Sequence, residues 1–321
     1  MRKAVFFCFL LFLLGSALLA QQNTVYSQYM LNGLGMNPAY AGEAGPLEII
    51  MGRRSQWAGF PGAPVVNFAG ACKAIGKKGF YHSWHGVGAY MESNNEGAFA
   101  IKTFSLVYAW HKRLAHDYTL SAGFALSAVN YSMDASIVDA RDPALYMYPP
   151  SVFIFPVLNP GVRLVSKKMY FDFSAKQATA NETVGPDGVK ELGTNNRLMP
   201  TFYFTVGRNF VSPNYAWTYT PSIQLRSALT YYPTFDLNLL VYYHRMIGIG
   251  ISYRDRDSFV GMIQFRYKNK IVLGLSYDYS ISRFSTVSAN SREIIFGYTP
   301  YGSPVPFSPG SHIAQCPGFD L

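Results

Sequence analysis

Residues 271–279 read Ile271-Val272-Leu273-Gly274-Leu275-Ser276-Tyr277-Asp278-Tyr279. The odd positions carry isoleucine, leucine and tyrosine, whereas the even positions include glycine, serine and aspartate. Successive side chains of a β-strand point to opposite faces, so these two sets lie on opposite faces of one strand. An apolar face turned to lipid and a polar face turned inward are typical of a membrane β-barrel.

The same alternation recurs along most of the chain, in short segments that are separated by turn residues. The predicted strands are 47–54, 63–71, 85–92, 99–110, 118–131, 158–166, 169–176, 200–210, 218–229, 234–243, 246–254, 257–267, 270–279 and 291–298. A soluble β-sandwich also alternates. However, these segments approach the 9–11 residues of a tilted membrane strand, and tyrosine and phenylalanine cluster at the ends of the apolar faces, as an aromatic girdle requires.

The sequence therefore predicts an all-β fold, a transmembrane outer-membrane β-barrel of about 14 antiparallel strands spanning residues 47–298. If both chain ends are periplasmic, the periplasmic turns include 167–168, 244–245 and 268–269. The external loops then include the long stretches 132–157, 177–199 and 280–290. Short turns on one side and long loops on the other are the asymmetry expected of such barrels.

Composition agrees with a chain surrounded by lipid. Aromatic residues make up 16% and charged residues only 14%, whereas a soluble domain carries about 25% charged residues. Residues 1–20 combine a basic start, an apolar run and small residues near the end, which is the pattern of a signal peptide for export. We therefore expect the bacterial outer membrane, with its lipids as the surroundings. The net charge of +9 is spread along the chain, with no nucleic-acid-binding motif, so we expect no nucleic-acid partner.

Residues that could carry chemistry are scarce. The six histidines show no convincing metal spacing, and His85 and His111 are predicted in solvated turns. There is no nucleophile elbow, phosphate loop or evident pair of catalytic carboxylates. We expect no catalytic residue, no cofactor and no metal, and hence no enzyme.

The N-terminal stretch 21–46 lacks strand alternation but is rich in aromatic residues and turn formers. It contains Tyr26-Ser27-Gln28-Tyr29-Met30 and Asn37-Pro38-Ala39-Tyr40-Ala41-Gly42. A solvated linker rarely carries so many apolar side chains, so we predict a folded plug in the barrel lumen. The first external loop contains Gln56, Trp57 and Phe60, and we expect it to fold inward over the plug, with Arg53 or Arg54 pairing inside the lumen.

These motifs carry a resemblance to a known family. The two N-terminal stretches and Gln56-Trp57-Ala58-Gly59-Phe60-Pro61-Gly62-Ala63-Pro64 resemble the opening signature of the PorP/SprF family. Later matches are Gly250-Ile251-Ser252-Tyr253-Arg254, Gly274-Leu275-Ser276-Tyr277-Asp278-Tyr279 and Arg292-Glu293-Ile294-Ile295-Phe296-Gly297-Tyr298. One departure is Ser291-Arg292-Glu293, where the family pattern has a Ser-His-Glu-like triplet.

The resemblance implies an outer-membrane component of the type IX secretion system, with relatives in gliding motility. Members of the family are thought to help secrete or anchor large cell-surface adhesins through the C-terminal domains of those adhesins. Others connect the machinery to a peptidoglycan-binding periplasmic lipoprotein or other secretion-system subunits. We expect Lys112, Arg113, Lys167 and Lys168 at periplasmic turns to contact such a partner.

The sequence also leaves open one alternative function and one disulfide bond. An Asn-Pro-Ala segment near a plug is also similar to the hatch of fatty-acid-transporting barrels, so a diffusion channel or a transporter of hydrophobic compounds is the second interpretation. The tail 299–321 is rich in proline and cannot form a further central strand. On the predicted topology this tail is periplasmic, as is the turn after Cys72, and a Cys72–Cys316 disulfide would connect them.

Overall fold

A computed structural model of the chain describes residues 24–43, 47–76, 83–114, 118–133, 153–166, 168–179, 200–228, 232–268, 270–282 and 290–300. The predicted signal peptide, the tail beyond residue 300, Lys167 and Cys316 lie outside the described residues. In the part that is described, no helix is long and apolar enough to cross a membrane.

The chain folds into 15 β-strands and two short helical turns. The strands are β1 (Glu48–Ser55), β2 (Val65–Ile75), β3 (Ser83–Glu96), β4 (Phe99–Arg113), β5 (Thr119–Met133), β6 (Phe153–Val165), β7 (Met169–Lys176), β8 (Thr201–Arg208), β9 (Phe210–Val211), β10 (Trp217–Ala228), β11 (Thr234–Tyr243), β12 (Ile247–Arg254), β13 (Ser258–Tyr267), β14 (Ile271–Ser280) and β15 (Ser291–Tyr298). The helical turns are α1 (Gly33–Met36) and a 3-10 turn (Pro38–Tyr40).

The strands close into an antiparallel barrel. Consecutive strands pair with each other except at β9: β10 pairs with β8 as well as with β11, and β15 pairs with β1. Fourteen strands thus form the ring, while the two-residue β9 pairs with β10 beside it. The predicted fold class is confirmed. Closure leaves the ring without an unpaired edge, which is the condition for β-structure to lie in lipid.

Outward and inward faces alternate as the sequence predicts. In β14, Leu275 and Tyr279 are 44% and 60% exposed, whereas Ser276 and Asp278 are buried. Exposed apolar side chains recur around the ring, including Met51, Met91, Leu106, Leu126, Val162, Phe173, Phe204, Leu239, Ile251, Ile263 and Ile294. On a soluble protein so continuous an apolar surface would be an aggregation liability. Here it is the surface that meets the hydrocarbon of the bilayer.

The two ends of the barrel differ in the lengths of their connections. The connections 166–168, 244–246 and 268–270 lie at one end, which we call the short-connection end. The strand ends that are joined by 134–152, 177–200 and 281–290 lie at the opposite, long-connection end. The asymmetry is not uniform, because the two-residue turn 97–98 also lies at the long-connection end.

Strand β6 begins at Phe153, earlier than the predicted start at residue 158. Pro156 lies in the stretch that the prediction left in a loop, whereas Pro160 lies within the predicted strand; neither residue has the N–H that a regular ladder needs. Leu158 lies midway between these prolines, and its N–H and C=O bond to Thr179 and Ala178, on the side of β7. The prolines share that orientation, and the β6–β7 ladder extends only from Gly161 to Val165. At Pro156 and Pro160 the side of β6 that lacks an N–H is therefore the side on which no regular ladder with β7 exists.

Three further sequence predictions were wrong in detail. The predicted strand 200–210 is interrupted at Asn209, whose side chain accepts a hydrogen bond from Thr220, so that Phe210 belongs to β9. His85 lies within β3 and His111 within β4, not in turns. His111 is fully buried, and both of its ring nitrogens have hydrogen-bond partners, the Ser121 hydroxyl and the Ala41 carbonyl.

Residues 24–43, which we call the inner segment, lie inside the ring of strands. Their hydrogen bonds reach inward-facing side chains on opposite sides of the barrel, including Glu92 on β3, Asp172 on β7, Ser222 on β10 and Asp278 on β14. The main buried apolar cluster of the protein joins this segment to the surrounding wall. The core of the barrel is therefore built around a chain segment that belongs to no strand.

Candidate functional site

The inner segment and the wall that holds it form the candidate site. The segment begins at the long-connection end of the barrel, where Tyr26 contacts Glu92. It finishes at the short-connection end, where Glu43 contacts Arg163 and where β1 also starts. A turn in which the Leu31 N–H bonds to the Gln28 carbonyl (2.9 Å) leads into α1. The Asn37 side chain then accepts a hydrogen bond from the Ala39 N–H (3.0 Å), which caps the 3-10 turn, and Pro38 stands at its first position. The Asn-Pro-Ala motif thus fixes a sharp turn inside the barrel.

A first arginine cluster holds the beginning of the segment. It consists of Arg54, Arg254, Asp236, Asp257, Asp278 and Glu293, all near the long-connection end. Arg54 lies 2.7 Å from the Asp278 carboxylate and 3.0 Å from the Glu293 carboxylate. Arg254 bridges Asp236, Asp257 and Asp278, each at 3.2 Å.

Ser27 of the inner segment lies at the centre of this cluster. Its hydroxyl donates to Asp278 (2.7 Å) and accepts from Arg54 (2.8 Å) and Arg254 (3.1 Å). The backbone N–H groups of Ser27 and Gln28 donate to Glu293 at 2.8 and 3.0 Å. Four carboxylates face two guanidinium groups here, so these neutral donors offset part of the excess negative charge. Buried charges are stable only when paired and hydrogen-bonded, and the segment completes that pairing.

A second arginine cluster, made of Arg163, Asp172 and Glu43, holds the end of the segment at the short-connection end. Arg163 lies 2.7 Å from both carboxylates, of which Glu43 belongs to the inner segment. It also donates to the Tyr40 hydroxyl (2.8 Å), and its guanidinium group stacks 4.1 Å from the Tyr40 ring. This combination fixes two side chains of the segment, the Glu43 carboxylate and the Tyr40 ring.

Trp84 and His111 hold the last turn of the segment beside this second cluster. The indole N–H of Trp84 donates to the Gly42 carbonyl (3.1 Å), and His111 bonds to the Ala41 carbonyl (2.8 Å). The two rings stack 4.8 Å apart. Gly42 has a φ of +75°, a conformation that other residues rarely adopt, which accounts for glycine at this position.

A row of small residues provides room for the backbone of the 3-10 turn. Gly86, Ala109, Gly123, Gly161 and Ser174 are register partners across β3 to β7. A side chain at Gly123 would come within 2.8 Å of the Ala39 nitrogen and the Pro38 carbonyl carbon. Added Cβ atoms at Gly86 and Gly161 would also overlap the segment, at the backbone of Ala41 and the side chain of Asn37. The small inward-facing residues of these strands therefore leave the room that the backbone of the inner segment occupies.

The residues on either side of Ser27 make further contacts with the wall of the barrel. Gln28 accepts a hydrogen bond from Gln264 (3.0 Å), and the Tyr29 hydroxyl lies 3.1 Å from that of Ser222. The Tyr26 hydroxyl donates to Glu92 (2.8 Å).

The structure brings most of the residues named from the N-terminal motif to one place. Tyr26, Gln28, Tyr29, Asn37, Pro38, Tyr40, Gly42 and Arg54 all line the contact between the inner segment and the wall. Arg53, by contrast, is exposed and bonds to Asn67 (3.2 Å) on the outer face.

The first loop, 56–64, lies at the long-connection end of the barrel. The Trp57 N–H donates to the Ser291 hydroxyl (3.1 Å), and the Gly62 carbonyl accepts from Gly97 (2.8 Å). The Gln56 N–H bonds within the loop, to Pro64, and Phe60 is 44% exposed. Arg292, at the position where the motif departs from the family pattern, faces outward and is exposed.

The basic residues named for a periplasmic contact lie at the short-connection end. Lys112 and Arg113 end β4, and Lys168 lies in the turn before β7; all three are exposed. We call these three residues the basic rim, together with five further exposed residues of the same end, Arg208, His244, Arg245, Lys268 and Lys270.

Cys72 is buried near the inner segment and lies 3.7 Å from the Glu48 carboxylate, to which its thiol donates. Its proposed partner Cys316 lies outside the described residues, so the disulfide stays a prediction. We expect mass spectrometry of the purified, unreduced protein to show one peptide pair joined through these cysteines. Alkylation of both thiols without prior reduction would exclude the bridge.

The sequence prediction missed several of the residues that hold the segment, among them Ser27, Arg163, Asp172, Arg254, Asp278 and Glu293. The signal that could have found them is the alternation itself. A charged residue in register with the small, inward-facing set of a barrel strand is buried, and a buried charge needs a partner. Asp278 and Glu293 both satisfy this condition in the sequence.

Comparison with known proteins agrees with this architecture. Residues 18–298 match the sequence model of the type IX secretion system membrane protein family PorP/SprF. A search of curated proteins finds no match. Among solved structures, the Ralstonia pickettii toluene transporter TbuX aligns with a TM-score of 0.52 at 10% identity, covering 84% of this chain and 92% of that one. The monoaromatic hydrocarbon channel CymD aligns with a TM-score of 0.50 at 10% identity, covering 83% and 91%. At such identity these similarities show a shared barrel fold alone.

Proposed function

Because the chain belongs to the PorP/SprF family of type IX secretion system membrane proteins, we propose that it is a non-enzymatic accessory component of protein secretion in the outer membrane. It is an interaction barrel that helps to secrete or anchor a large surface adhesin, as in relatives that serve gliding motility. The observation that carries this proposal is the inner segment, which is hydrogen-bonded to the wall on all sides.

In this proposal the inner segment acts as a plug. Two arginine clusters at opposite ends hold it, and small residues of β3 to β6 fit closely around its backbone. A barrel that serves as a pore would need an open passage along its axis. A permanently filled barrel instead presents two end surfaces on a rigid support, which suits a protein that brings partners together across the membrane.

The long-connection end is the proposed contact for cargo. We expect it to face the cell exterior, because the longer loops of bacterial barrels are extracellular. The C-terminal domain of a secreted adhesin is the proposed partner there. The loop 56–64 contributes the exposed Phe60 to this end, and exposed aromatic side chains are frequent anchors of protein interfaces.

The basic rim is the proposed contact for a periplasmic partner, such as a peptidoglycan-binding lipoprotein or another secretion-system subunit. The positive charges of Lys112, Arg113 and Lys168 would attract an acidic surface and speed its association. Since the charges are exposed, each contributes little binding energy alone, and the contact should weaken as salt rises.

A native pull-down from detergent-solubilised outer membranes tests both contacts. We expect the tagged barrel to recover an adhesin C-terminal domain and a periplasmic lipoprotein or secretion subunit. Reversing the charges of Lys112, Arg113 and Lys168 to glutamate should reduce recovery of the periplasmic partner at least fivefold and leave cargo recovery unchanged. Arg256→Glu, at an exposed residue of the opposite end, is the matched control. Recovery of the barrel alone would contradict the proposal.

The second candidate function is a diffusion channel or a transporter of hydrophobic compounds. What favours it is that the similar folds TbuX and CymD are a toluene transporter and a hydrocarbon channel. Single-channel recording in planar bilayers separates the two functions for water-filled pores. We expect the plugged barrel to show no conductance steps. Steady conductance of the wild-type protein would support the channel instead.

A further inference from the structure

A cavity of about 110 Å³ lies inside the barrel at the long-connection end. It lies between the inner segment and the ends of β3 to β7, away from both arginine clusters. Its lining includes the polar residues Glu92, Asn94 and Lys176 and the apolar residues Ile101, Val129 and Val157. One buried water needs roughly 15 Å³ in this measure, so the cavity has room for roughly seven water-sized groups.

Two polar groups on this lining have unused binding capacity. The Asn94 amide donates to Glu96 (2.6 Å), which fixes its orientation, and its carbonyl oxygen is buried without a donor among the described residues. Asn94 is only 6% exposed. Lys176 lies over the Tyr26 ring at 5.8 Å, and no carboxylate in the described part of the chain lies within ion-pair distance of its ammonium group. A buried acceptor and a half-buried cation without partners are both costly unless a ligand or water satisfies them.

Two other polar side chains of the lining, Glu92 and Asn159, are already engaged. The Glu92 carboxylate accepts hydrogen bonds from Tyr26, Tyr90 and Thr24. Asn159 donates to Ser127 (3.0 Å) and accepts from the Gln177 N–H (2.7 Å). These contacts fix the walls without using the Asn94 oxygen or the Lys176 ammonium group. The Asn94 oxygen and the Lys176 ammonium group therefore remain available to a ligand.

We propose that this cavity binds a carboxylate-bearing ligand the size of one amino-acid residue. The carboxylate pairs with Lys176, and an N–H group of the ligand donates to the Asn94 oxygen. Both a free amino acid and the C-terminal residue of a peptide present this chemistry. Val129, Val157 and Ile101 provide an apolar wall for a small side chain. The proposal concerns the isolated barrel and does not depend on the partners proposed for its two ends.

Titration calorimetry of the purified full-length protein in detergent tests the site. We expect N-acetyl-alanine to bind and N-acetyl-alaninamide, which lacks the carboxylate, to bind at least tenfold more weakly. Lys176→Met should weaken binding of N-acetyl-alanine at least tenfold, because it removes the charge and keeps the length of the side chain. Lys176→Arg should restore binding to within threefold of the wild type.

Two further variants separate the effect of the binding site from a general effect of lost charge or of misfolding. Lys102→Met removes an exposed lysine of β4 that does not line the cavity, so it should leave binding unchanged. Val129→Phe should abolish binding by filling the cavity while all charges remain. If free alanine binds more tightly than N-acetyl-alanine, the natural ligand is a free amino acid. If N-acetyl-trialanine binds more tightly, the ligand is the C-terminal end of a peptide. Absence of binding by every carboxylate probe, or equal binding by wild type and Lys176→Met, would overturn the proposal.

Discussion

Replacing Arg54 by methionine will accelerate hydrogen exchange of the Ser27 and Gln28 amides about a hundredfold or more. The substitution leaves the carboxylates of Asp278 and Glu293 buried without the guanidinium group that lies 2.7 and 3.0 Å from them. Removing one partner from a buried ion pair costs about 3–5 kcal/mol. These two amides donate to Glu293, so the cost appears as local undocking of the inner segment.

Hydrogen exchange followed by mass spectrometry, on the folded protein in detergent, measures this effect directly. Arg53→Met is the matched control, because Arg53 is the neighbouring residue but is exposed and bonds only to Asn67 among the described residues. Adding Glu293→Gln to Arg54→Met should recover part of the protection, since Asp278 keeps its ion pair with Arg254 and the added change removes the carboxylate that has lost its guanidinium partner. Exchange of Arg54→Met within threefold of the wild type would show that the cluster does not hold the segment.

Replacing Gly123 by valine should displace the 3-10 turn from its seat and open the barrel. The new Cβ would lie within 2.8 Å of the backbone of Pro38 and Ala39, and backbone cannot move aside as a flexible side chain can. Overpacking of this kind costs about 1–3 kcal/mol or more. Valine is itself favoured in strands, so the wall of the barrel should keep its fold. The effect should therefore fall on the inner segment.

Two measurements check this outcome. Amide exchange of residues 38–41 should rise at least tenfold, and conductance steps should appear in planar bilayers where the wild type is silent. Gly261→Val is the control, because an added Cβ there meets no atom within 4 Å on the outer face. A Gly123→Val protein that stays silent and protected would contradict the assignment of the small-residue row as a seat for the segment.

The barrel could be predicted closely because its signal is local. In 271–279 the period of two places each side chain on one face, and the observed β14 spans Ile271–Ser280 with that alternation. The predicted bounds fail where a local rule has a tertiary exception. The sequence predicts a loop for 153–157, and Pro156 in this stretch lacks the N–H of a regular ladder. β6 nevertheless includes Pro156, because its missing N–H faces a region beyond the β6–β7 ladder.

The candidate site could be predicted only in part. The motifs of the N-terminal segment indicated a folded, buried element, and they contain residues that contact the wall, such as Tyr40 and Gly42. The partners of this segment are far away in the sequence. Ser27 bonds to Asp278 and Glu293, which follow it by 251 and 266 residues. A single sequence carries no signal for such pairs beyond the requirement that each inward charge be neutralised.

The sequence by itself determined that the chain is a closed barrel with an apolar outer face and about 14 strands, because strand alternation and strand length are properties of neighbouring residues. Only the tertiary structure decided what fills the interior. Closure of the ring brings Arg54, Arg254 and Arg163 from separate strands to the two ends of one segment, and it aligns Gly86, Gly123 and Gly161 under the backbone of that segment. Such contacts depend on register around the whole ring, and register is fixed only when the last strand pairs with the first.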